Sequence, residues 1–313
     1  MGARMIDPRQ FADWVSGEAK AMFVADALLA SAPAELADLR LHYGAYNRRM
    51  LDDAVKAFAV EIAEREIAGV VAHVVTPAGG ATDERVLICL HGGAFMWGSG
   101  AGALLEAVPV AAITGMEVIA VDYRLAPEHP YPAAVDDVLA VHADLLSRFE
   151  PSAIGLYGCS AGAMLTAQTV ARMVVEGRPT PGAIAMLHGA GLDFAGDSAA
   201  TSSAFALRAN PGPAPSAAQL PYFAGADMDH PLVLPGNHPG ILARFPPSLL
   251  VSGTRDFAAS ACSVMHRRLL SAGAEAGFVL FDGIWHAHHM AVGLPESRET
   301  FALLDRFFKK HLR

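Results

Sequence analysis

The chain has 313 residues, of which 53% are hydrophobic and 18% are charged, so it can build one large domain or one domain with a smaller appendage. Its formal net charge of −9 argues against nucleic acid or an anionic membrane surface as a partner. The apolar run Ala21–Ala30 starts too late for a secretory signal and is interrupted by Asp26, so it predicts an amphipathic helix. No apolar stretch approaches the length that spans a bilayer.

Cysteine usage points to a reducing compartment. The three cysteines cannot all pair, and their spacing fits no zinc site. We therefore expect free thiols and a cytoplasmic location. Cys89 lies in an apolar strand pattern and Cys262 in a helical one, so both are expected to be small core residues.

Most of the chain alternates between strand and helix patterns. Residues 8–67 are an exception, because they show a mixed helical pattern without a convincing strand. The first strand pattern, Val70–Val75, ends at Pro77 and the turn Gly79-Gly80. Continuous apolar strands separated by helices predict an α/β fold with a parallel sheet that is covered on both faces. The later predicted strands are Val86–Leu90, Glu117–Val121, Ala153–Leu156, Ala183–Leu187, Ser248–Ser252 and Phe278–Leu280. The predicted helices are Ala101–Thr114, Ala133–Phe149, Met164–Glu176, Phe257–Leu270 and Pro295–Lys310.

One long segment, 195–247, interrupts this alternation. It is rich in Pro and Gly, shows no clean strand, and is too long for an ordinary connection. We interpret it as an insertion that folds over the carboxyl edge of the sheet together with the N-terminal helices.

A candidate nucleophile stands at a strand-turn-helix junction. Ser160 occupies the centre of Gly158-Cys159-Ser160-Ala161-Gly162, a Gly-x-Ser-x-Gly pattern between an apolar strand and a long helix. Such a turn lifts the central hydroxyl clear of the sheet, and the helix N-terminus favours developing negative charge. Cys159 is a rival nucleophile, but the turn exposes its central residue rather than the neighbour.

Acyl transfer by a serine also requires donors for the oxyanion. The strand Val86–Leu90 runs directly into His91-Gly92-Gly93-Ala94-Phe95, where small residues let backbone N–H groups face a ligand. The oxyanion hole is predicted from Gly92, Gly93, Ala94 and Ala161. We expect His91 to hold this loop by hydrogen bonds.

The base and its acidic partner are expected after the last two strands. His286 is the first histidine after the final strand, with His289 as second choice and His288 close by. A metal site on this cluster is disfavoured, because no Asp, Glu or Cys accompanies it at ligand spacing. Asp256 follows the preceding strand and fits the orienting acid, although a helix N-cap is its alternative role. Asp282 is the competing acid. The chain order Ser, Asp, His is the one expected for this architecture.

Three motifs together resemble the hormone-sensitive-lipase family of α/β-hydrolases, the bacterial family IV esterases. They are His91–Phe95, Tyr123-Arg124-Leu125-Ala126-Pro127-Glu128 and the turn at Ser160. The resemblance implies an eight-stranded, mostly parallel sheet flanked by helices, and a helical cap. It also implies Ser160, Asp256 and His286 as the triad, with Gly93, Ala94 and Ala161 as the oxyanion donors. The expected organisation is an N-terminal part of the cap at 1–67, core at 68–194, a cap insertion at 195–247 and core at 248–313.

The sequence departs from the family at three positions: Ala94 replaces the third glycine, Cys159 replaces Asp or Thr, and Ser260 replaces a second Asp. These changes bear on substrate preference more than on the reaction. The expected function is hydrolysis of short- to medium-chain carboxylic esters without metal or organic cofactor, in a possible homodimer. Amide, lactone or carbonate hydrolysis and a non-catalytic ligand receptor are the alternatives.

Overall fold

The computed structural model describes residues 11–27, 32–201 and 216–313. Its centre is an eight-stranded sheet in the order β1-β2-β4-β3-β5-β6-β7-β8. β2 is antiparallel to β1 and β4, and the other neighbouring strands are parallel. The strands are β1 (Val60–Ile67), β2 (Val70–Pro77), β3 (Val86–Leu90), β4 (Glu117–Val121), β5 (Ile154–Cys159), β6 (Ala183–Leu187), β7 (Ser248–Gly253) and β8 (Ala276–Phe281). This confirms the predicted α/β architecture.

Helices cover both faces of the sheet. They are α1 (Gly17–Ala27), α2 (Leu36–Ala57), α3 (Ala101–Thr114), α4 (Ala133–Leu145), α5 (Ala161–Glu176), α6 (Asp197–Thr201), α7 (Pro239–Leu242), α8 (Ala259–Ser271) and α9 (Pro295–His311). Among the described residues, none of these helices is long and apolar enough to cross a membrane.

The central strand β3 shows how the core is divided. Its five residues are all buried, and alternate side chains point to opposite faces of the pleated sheet. Ile88 packs in the cluster with α4, α5 and α8, whereas Leu87 and Cys89 pack in the cluster with α3 and α9. Cys89 and Cys262 are free, fully buried core residues, as predicted.

The helical interpretation of residues 8–67 is wrong for its last part. Residues 60–67 form β1, which pairs with β2 through the two-residue turn Ala68-Gly69, where both residues have positive φ. β1 lies at the edge of the sheet and is mostly exposed or half-buried. Its many acidic residues therefore face solvent, and the alternation that marks a strand with one buried face is weak.

The N-terminal helices and the insertion both contact the loop after β3. Arg40 of α2 donates hydrogen bonds to the carbonyl oxygens of Met96 (2.8 Å) and Ala126 (3.0 Å). From the insertion, Tyr222 stacks on Phe95 with ring centroids 3.9 Å apart. Residues 202–215 of the predicted insertion and 28–30 of the predicted amphipathic helix lie outside the described residues.

Candidate active site

Four polar side chains lie beyond the carboxyl ends of four adjacent parallel strands: Ser160 after β5, His188 after β6, Asp256 after β7 and His286 after β8. Main-chain hydrogen bonds continue across the sheet just past the strand ends. Ser160 N–H donates to Leu187 O (2.8 Å), and His188 N–H donates to Val251 O (2.7 Å). The sheet register therefore places these loops side by side.

Ser160 occupies the predicted sharp turn. Its φ of 55° and ψ of −115° lie outside the regions that L-residues prefer, and α5 begins at the next residue. A side chain at Gly162 would overlap the Leu90 carbonyl oxygen. Ser160 is half-buried on a cavity wall, whereas Cys159 is only 1% exposed, and burial raises the pKa of its thiol well above the usual value. This contrast favours the serine over the cysteine as nucleophile.

The loop after β3 presents backbone to the same cavity. Gly93 and Ala94 have φ values of 116° and 51°, and both line the cavity beside Ala161, the first residue of α5. A helix leaves its first N–H groups without intrahelical partners, which makes the Ala161 N–H a suitable donor. The Gly92 N–H is different, because it donates to Glu106 Oε1 at 2.8 Å. The Gly92 N–H therefore stabilises the loop, and Gly93, Ala94 and Ala161 remain as the predicted oxyanion donors.

His91 holds this loop, as its predicted role requires. Its Nδ1 lies 2.7 Å from the Gly92 carbonyl oxygen, and its ring stacks on Tyr123 with centroids 4.2 Å apart. The Tyr123 hydroxyl donates to the His91 carbonyl oxygen at 2.7 Å. Burial lowers the pKa of His91, so the ring is a neutral structural element.

Asp256 and His286, the predicted acid and base, are in hydrogen-bond contact. His286 Nδ1 lies 2.7 Å from Asp256 Oδ1, and the imidazole stacks on Phe257 with centroids 4.2 Å apart. Asp256 is fully buried, whereas the His286 side chain is 22% exposed and lines the cavity with Ser160. The described contacts contain no hydrogen bond from the Ser160 hydroxyl to His286, so the third link of the triad stays a prediction. Such bonds are often long before substrate binds.

A second imidazole contacts the same carboxylate. His188 Nδ1 lies 2.7 Å from Asp256 Oδ2, and Ser252 Oγ donates to that oxygen at 2.7 Å. Burial would raise the pKa of Asp256, but the attraction of His286 and His188 and the hydrogen bonds they donate outweigh burial and hold this pKa well below its usual range. Burial lowers the pKa of His188 to about 4, although Asp256 opposes this shift.

The alternative residues lie elsewhere. His289 is buried, with Nε2 3.9 Å from Glu106 Oε2, and the hydrogen bonds to the Asp256 carboxylate among the described residues come from other groups. Asp282 accepts hydrogen bonds from Trp14 Nε1 (2.8 Å) and Thr254 Oγ1 (3.1 Å) near the surface. These positions favour His286 and Asp256 over the competing base and acid.

The structure brings Glu106 and Cys159 to the histidine cluster, contrary to the expectation that no acid or cysteine accompanies it. Three groups of side chains have ligand atoms within 4.8 Å of one another: Glu106, Cys159 and His289; His188, His288 and His289; and His188, Asp256 and His286. In the last two groups, the nitrogen atoms of His188 and His286 already serve hydrogen bonds within the site. The absence of a metal remains a prediction.

The cavity beside Ser160 has a volume of about 510 Å³. Tyr43 of α2 and Trp97 stack on its wall with centroids 4.7 Å apart, and Leu220 of the insertion lies on the wall as well. Its volume falls within the range of small-molecule sites in proteins.

Sequence reasoning missed His188 and Glu106. His188 is a polar residue directly after a buried parallel strand, and active sites concentrate at that edge. Glu106 is the only charged residue in the apolar helix α3 and is 2% exposed. The sequence therefore contained evidence that could have identified both residues.

The chain is similar to known proteins over most of its length. The family described as the alpha/beta hydrolase fold matches residues 87–290. The chain is 33% identical over 264 residues to a putative acetyl-hydrolase, LipR, of Mycobacterium tuberculosis, covering 79% of each chain. It is 30% identical over 232 residues to an acetyl-hydrolase of Streptomyces hygroscopicus, covering 72% of this chain and 76% of the relative.

Solved structures show the same relationship. The structure of an esterase, E25, superimposes with a TM-score of 0.84 at 30% identity, covering 100% of this chain and 98% of the other. An esterase from the bacterial hormone-sensitive lipase family gives a TM-score of 0.79 at 27% identity, covering 91% and 94%. The chain therefore belongs to the α/β-hydrolase fold family, and its resemblance to the hormone-sensitive-lipase esterases is confirmed.

Proposed function

We propose that this protein is a serine carboxylesterase that uses Ser160, His286 and Asp256. The observation that carries the proposal is the shared cavity wall: Ser160 on its strained turn and His286, bonded to the buried Asp256, face the same 510 Å³ space. Several proteins that match most of the chain are named esterases or acetyl-hydrolases.

The reaction follows from the roles of these groups. His286 Nε2 takes the proton of Ser160 as Oγ attacks the ester carbonyl carbon, and the carbonyl oxygen becomes an oxyanion. The N–H groups of Gly93, Ala94 and Ala161 stabilise that charge. The protonated His286 then gives its proton to the leaving alcohol, which leaves an acyl group on Ser160. Water, deprotonated by the same imidazole, releases the acid and restores the serine.

Asp256 has two functions in this scheme. Its hydrogen bond fixes the Nδ1–H tautomer of His286, which leaves Nε2 free to accept the serine proton. Its negative charge stabilises the imidazolium that forms in both transition states. Although Asp256 is fully buried, the charge attraction and hydrogen bonds of His286 and His188 hold its pKa well below the usual range, so the carboxylate remains ionised in neutral solution.

The wall of the cavity indicates the substrate class. It contains aromatic and aliphatic side chains such as Trp97, Leu220 and Trp285, and the methyl group of Ala94 narrows it next to the reacting carbonyl. These features favour short- to medium-chain acyl esters. Amides, lactones and carbonates are alternative substrates on the same residues, and a matched set of ester and anilide substrates distinguishes them. The N-terminal helices and the insertion would act as the cap, since Tyr43 and Leu220 line the cavity.

Ser160→Ala tests the assignment with a short-chain aryl ester. We expect kcat to fall by about 10³-fold or more, because the variant keeps binding and oxyanion stabilisation but has no nucleophile. Cys159→Ala is the matched control and should retain activity and labelling by a fluorophosphonate. A Ser160→Ala protein with substantial activity would exclude the proposed nucleophile. Folded wild-type protein that hydrolyses no ester and takes no label would favour a receptor.

A further inference from the structure

The carboxylate of Asp256 accepts four hydrogen bonds, which is unusual because two of them come from imidazoles. Oδ1 accepts from His286 Nδ1 (2.7 Å) and the Ala258 N–H (2.9 Å). Oδ2 accepts from Ser252 Oγ (2.7 Å) and His188 Nδ1 (2.7 Å). An ionised carboxylate has about four lone-pair sites, so every site is occupied.

His188 is itself held by a chain of hydrogen bonds. Its Nε2 lies 3.0 Å from His288 Nδ1, and His288 Nε2 lies 3.0 Å from Thr300 Oγ1 on α9. His188 and His288 are buried, and burial lowers the pKa of both, so both are neutral. A neutral His188 that donates from Nδ1 to the carboxylate must accept at Nε2. His288 then carries its proton on Nδ1, and its unprotonated Nε2 lies against Thr300 Oγ1, whose single proton is also hydrogen-bonded to the Glu296 carbonyl oxygen at 3.0 Å.

The backbone at His188 adds a second observation. The residue has a φ of 53°, a left-handed conformation that costs a non-glycine residue about 1 kcal/mol. A glycine would adopt this φ without strain, so the imidazole is retained despite a backbone penalty. Strained residues of this kind concentrate at functional sites.

We propose that His188 is a positioning residue of the triad, which acts through Asp256 and not on substrate. Its Nδ1–H shares the negative charge of the carboxylate and holds the Asp256 plane against His286. A carboxylate with an additional donor shares its negative charge among more partners, so it attracts the imidazolium form of the base less strongly than a carboxylate without that donor. This inference rests on the proposed role of Asp256 as the triad acid.

Other titratable groups surround the pair and must be considered in any pH response. His286, His288 and His289 approach from the loop after β8, and the His289 ring stacks on His188 with centroids 5.7 Å apart. Cys262 of α8 faces Asp256, and Cys159 of β5 and Glu106 of α3 lie beside His289. Burial raises the pKa of the Cys159 and Cys262 thiols, so both stay neutral between pH 5 and 8.

Two substitutions of His188 test whether its hydrogen-bond donor to Asp256 is what matters, because one keeps a donor and the other removes it. Asn places an N–H₂ group where the histidine has Nδ1 and tolerates positive φ, so His188→Asn keeps the donor. His188→Ala removes it. We expect the acid limb of the kcat/KM profile to move up by about one pH unit in His188→Ala and to stay near the wild-type midpoint in His188→Asn. Equal profiles for the two variants would overturn the proposal.

A spectroscopic measurement tests the role of His188 even if one of the His188 variants folds poorly. In ¹⁵N-histidine-labelled Ser160→Ala protein, we expect two downfield imidazole N–H protons bonded to Asp256, from His188 and His286, besides the His288 N–H that donates to His188. We also expect His188 to remain neutral between pH 5 and 8. A single such proton, or a His188 that protonates in this range, would refute the role. Failure of the proposed function appears separately, as full esterase activity in Ser160→Ala.

Discussion

Acidification should destabilise the folded protein through histidines that are buried in the neutral form. Burial lowers the pKa of His188 to about 4, and it lowers the pKa of His142 on α4, with help from Arg178, to about 4. In the unfolded chain each histidine titrates near pH 6.5. Between these two values the unfolded state binds more protons than the folded state. Stability is therefore lost as the pH falls from 6.5 towards 4.

The size of the effect follows from the difference of about 2.5 pH units between the two pKa values. Each unit corresponds to about 1.4 kcal/mol, so lowering the pH from 7 to 4 costs about 3 kcal/mol of unfolding free energy per histidine. The two residues together account for about 6 kcal/mol, a large part of a typical total of about 5–15 kcal/mol. Asp256 opposes unfolding throughout this window, because its lowered pKa contributes stability that is lost only at lower pH.

Urea unfolding at a series of pH values, followed by tryptophan fluorescence, measures this directly. We expect the unfolding free energy to fall steadily between pH 6.5 and 4. His142 lies on α4 outside the catalytic site, and its Nε2 has no hydrogen-bond partner in the described structure, so His142→Leu removes one titrating group without breaking a hydrogen bond. This variant should lose the His142 share of the pH dependence, about 3 kcal/mol between pH 7 and 4, and keep esterase activity. An unfolding free energy that is constant from pH 7 to 4.5 would refute the reasoning.

Two further predictions concern backbone sites. Gly162→Ala places a Cβ well under 3.0 Å from the Leu90 carbonyl oxygen, so this variant should yield little folded, active protein. Gly44 lies on helix α2 with open space around it, so Gly44→Ala should raise the unfolding free energy measured with urea by about 0.5–1 kcal/mol. Comparable stability of the two variants would contradict this. Ala94→Gly removes the strain of a left-handed backbone at φ 51°, so the unfolding free energy obtained from thermal unfolding should rise by up to about 1 kcal/mol. The variant should also increase kcat/KM more for esters with bulky acyl groups than for acetate esters. Unchanged selectivity would show that the Ala94 methyl group does not limit the pocket.

Much of the fold and the core of the candidate site could be predicted from short stretches of sequence. The buried strand β3 and helix α3 were predicted with their observed bounds, because an apolar run that ends in glycines has few alternative structures. The turn at Ser160 is defined by glycines two residues to either side. Asp256 and His286 were predictable because parallel strands bring their carboxyl ends to one edge of the sheet. Strand β1 was missed, because an exposed edge strand lacks the apolar alternation that marks a buried one.

Local sequence alone determined the buried strands, the sharp turn at Ser160 and the glycine loop after β3, since each depends on the conformational preferences of neighbouring residues. Only the tertiary structure decided which distant side chains meet. His188 and Asp256 are 68 residues apart and His188 and His288 are 100 apart, yet both pairs are in hydrogen-bond contact. The contact of Gly92 with Glu106 likewise depends on how α3 packs on the sheet. Such contacts depend on strand order and register, which no short stretch of the sequence contains.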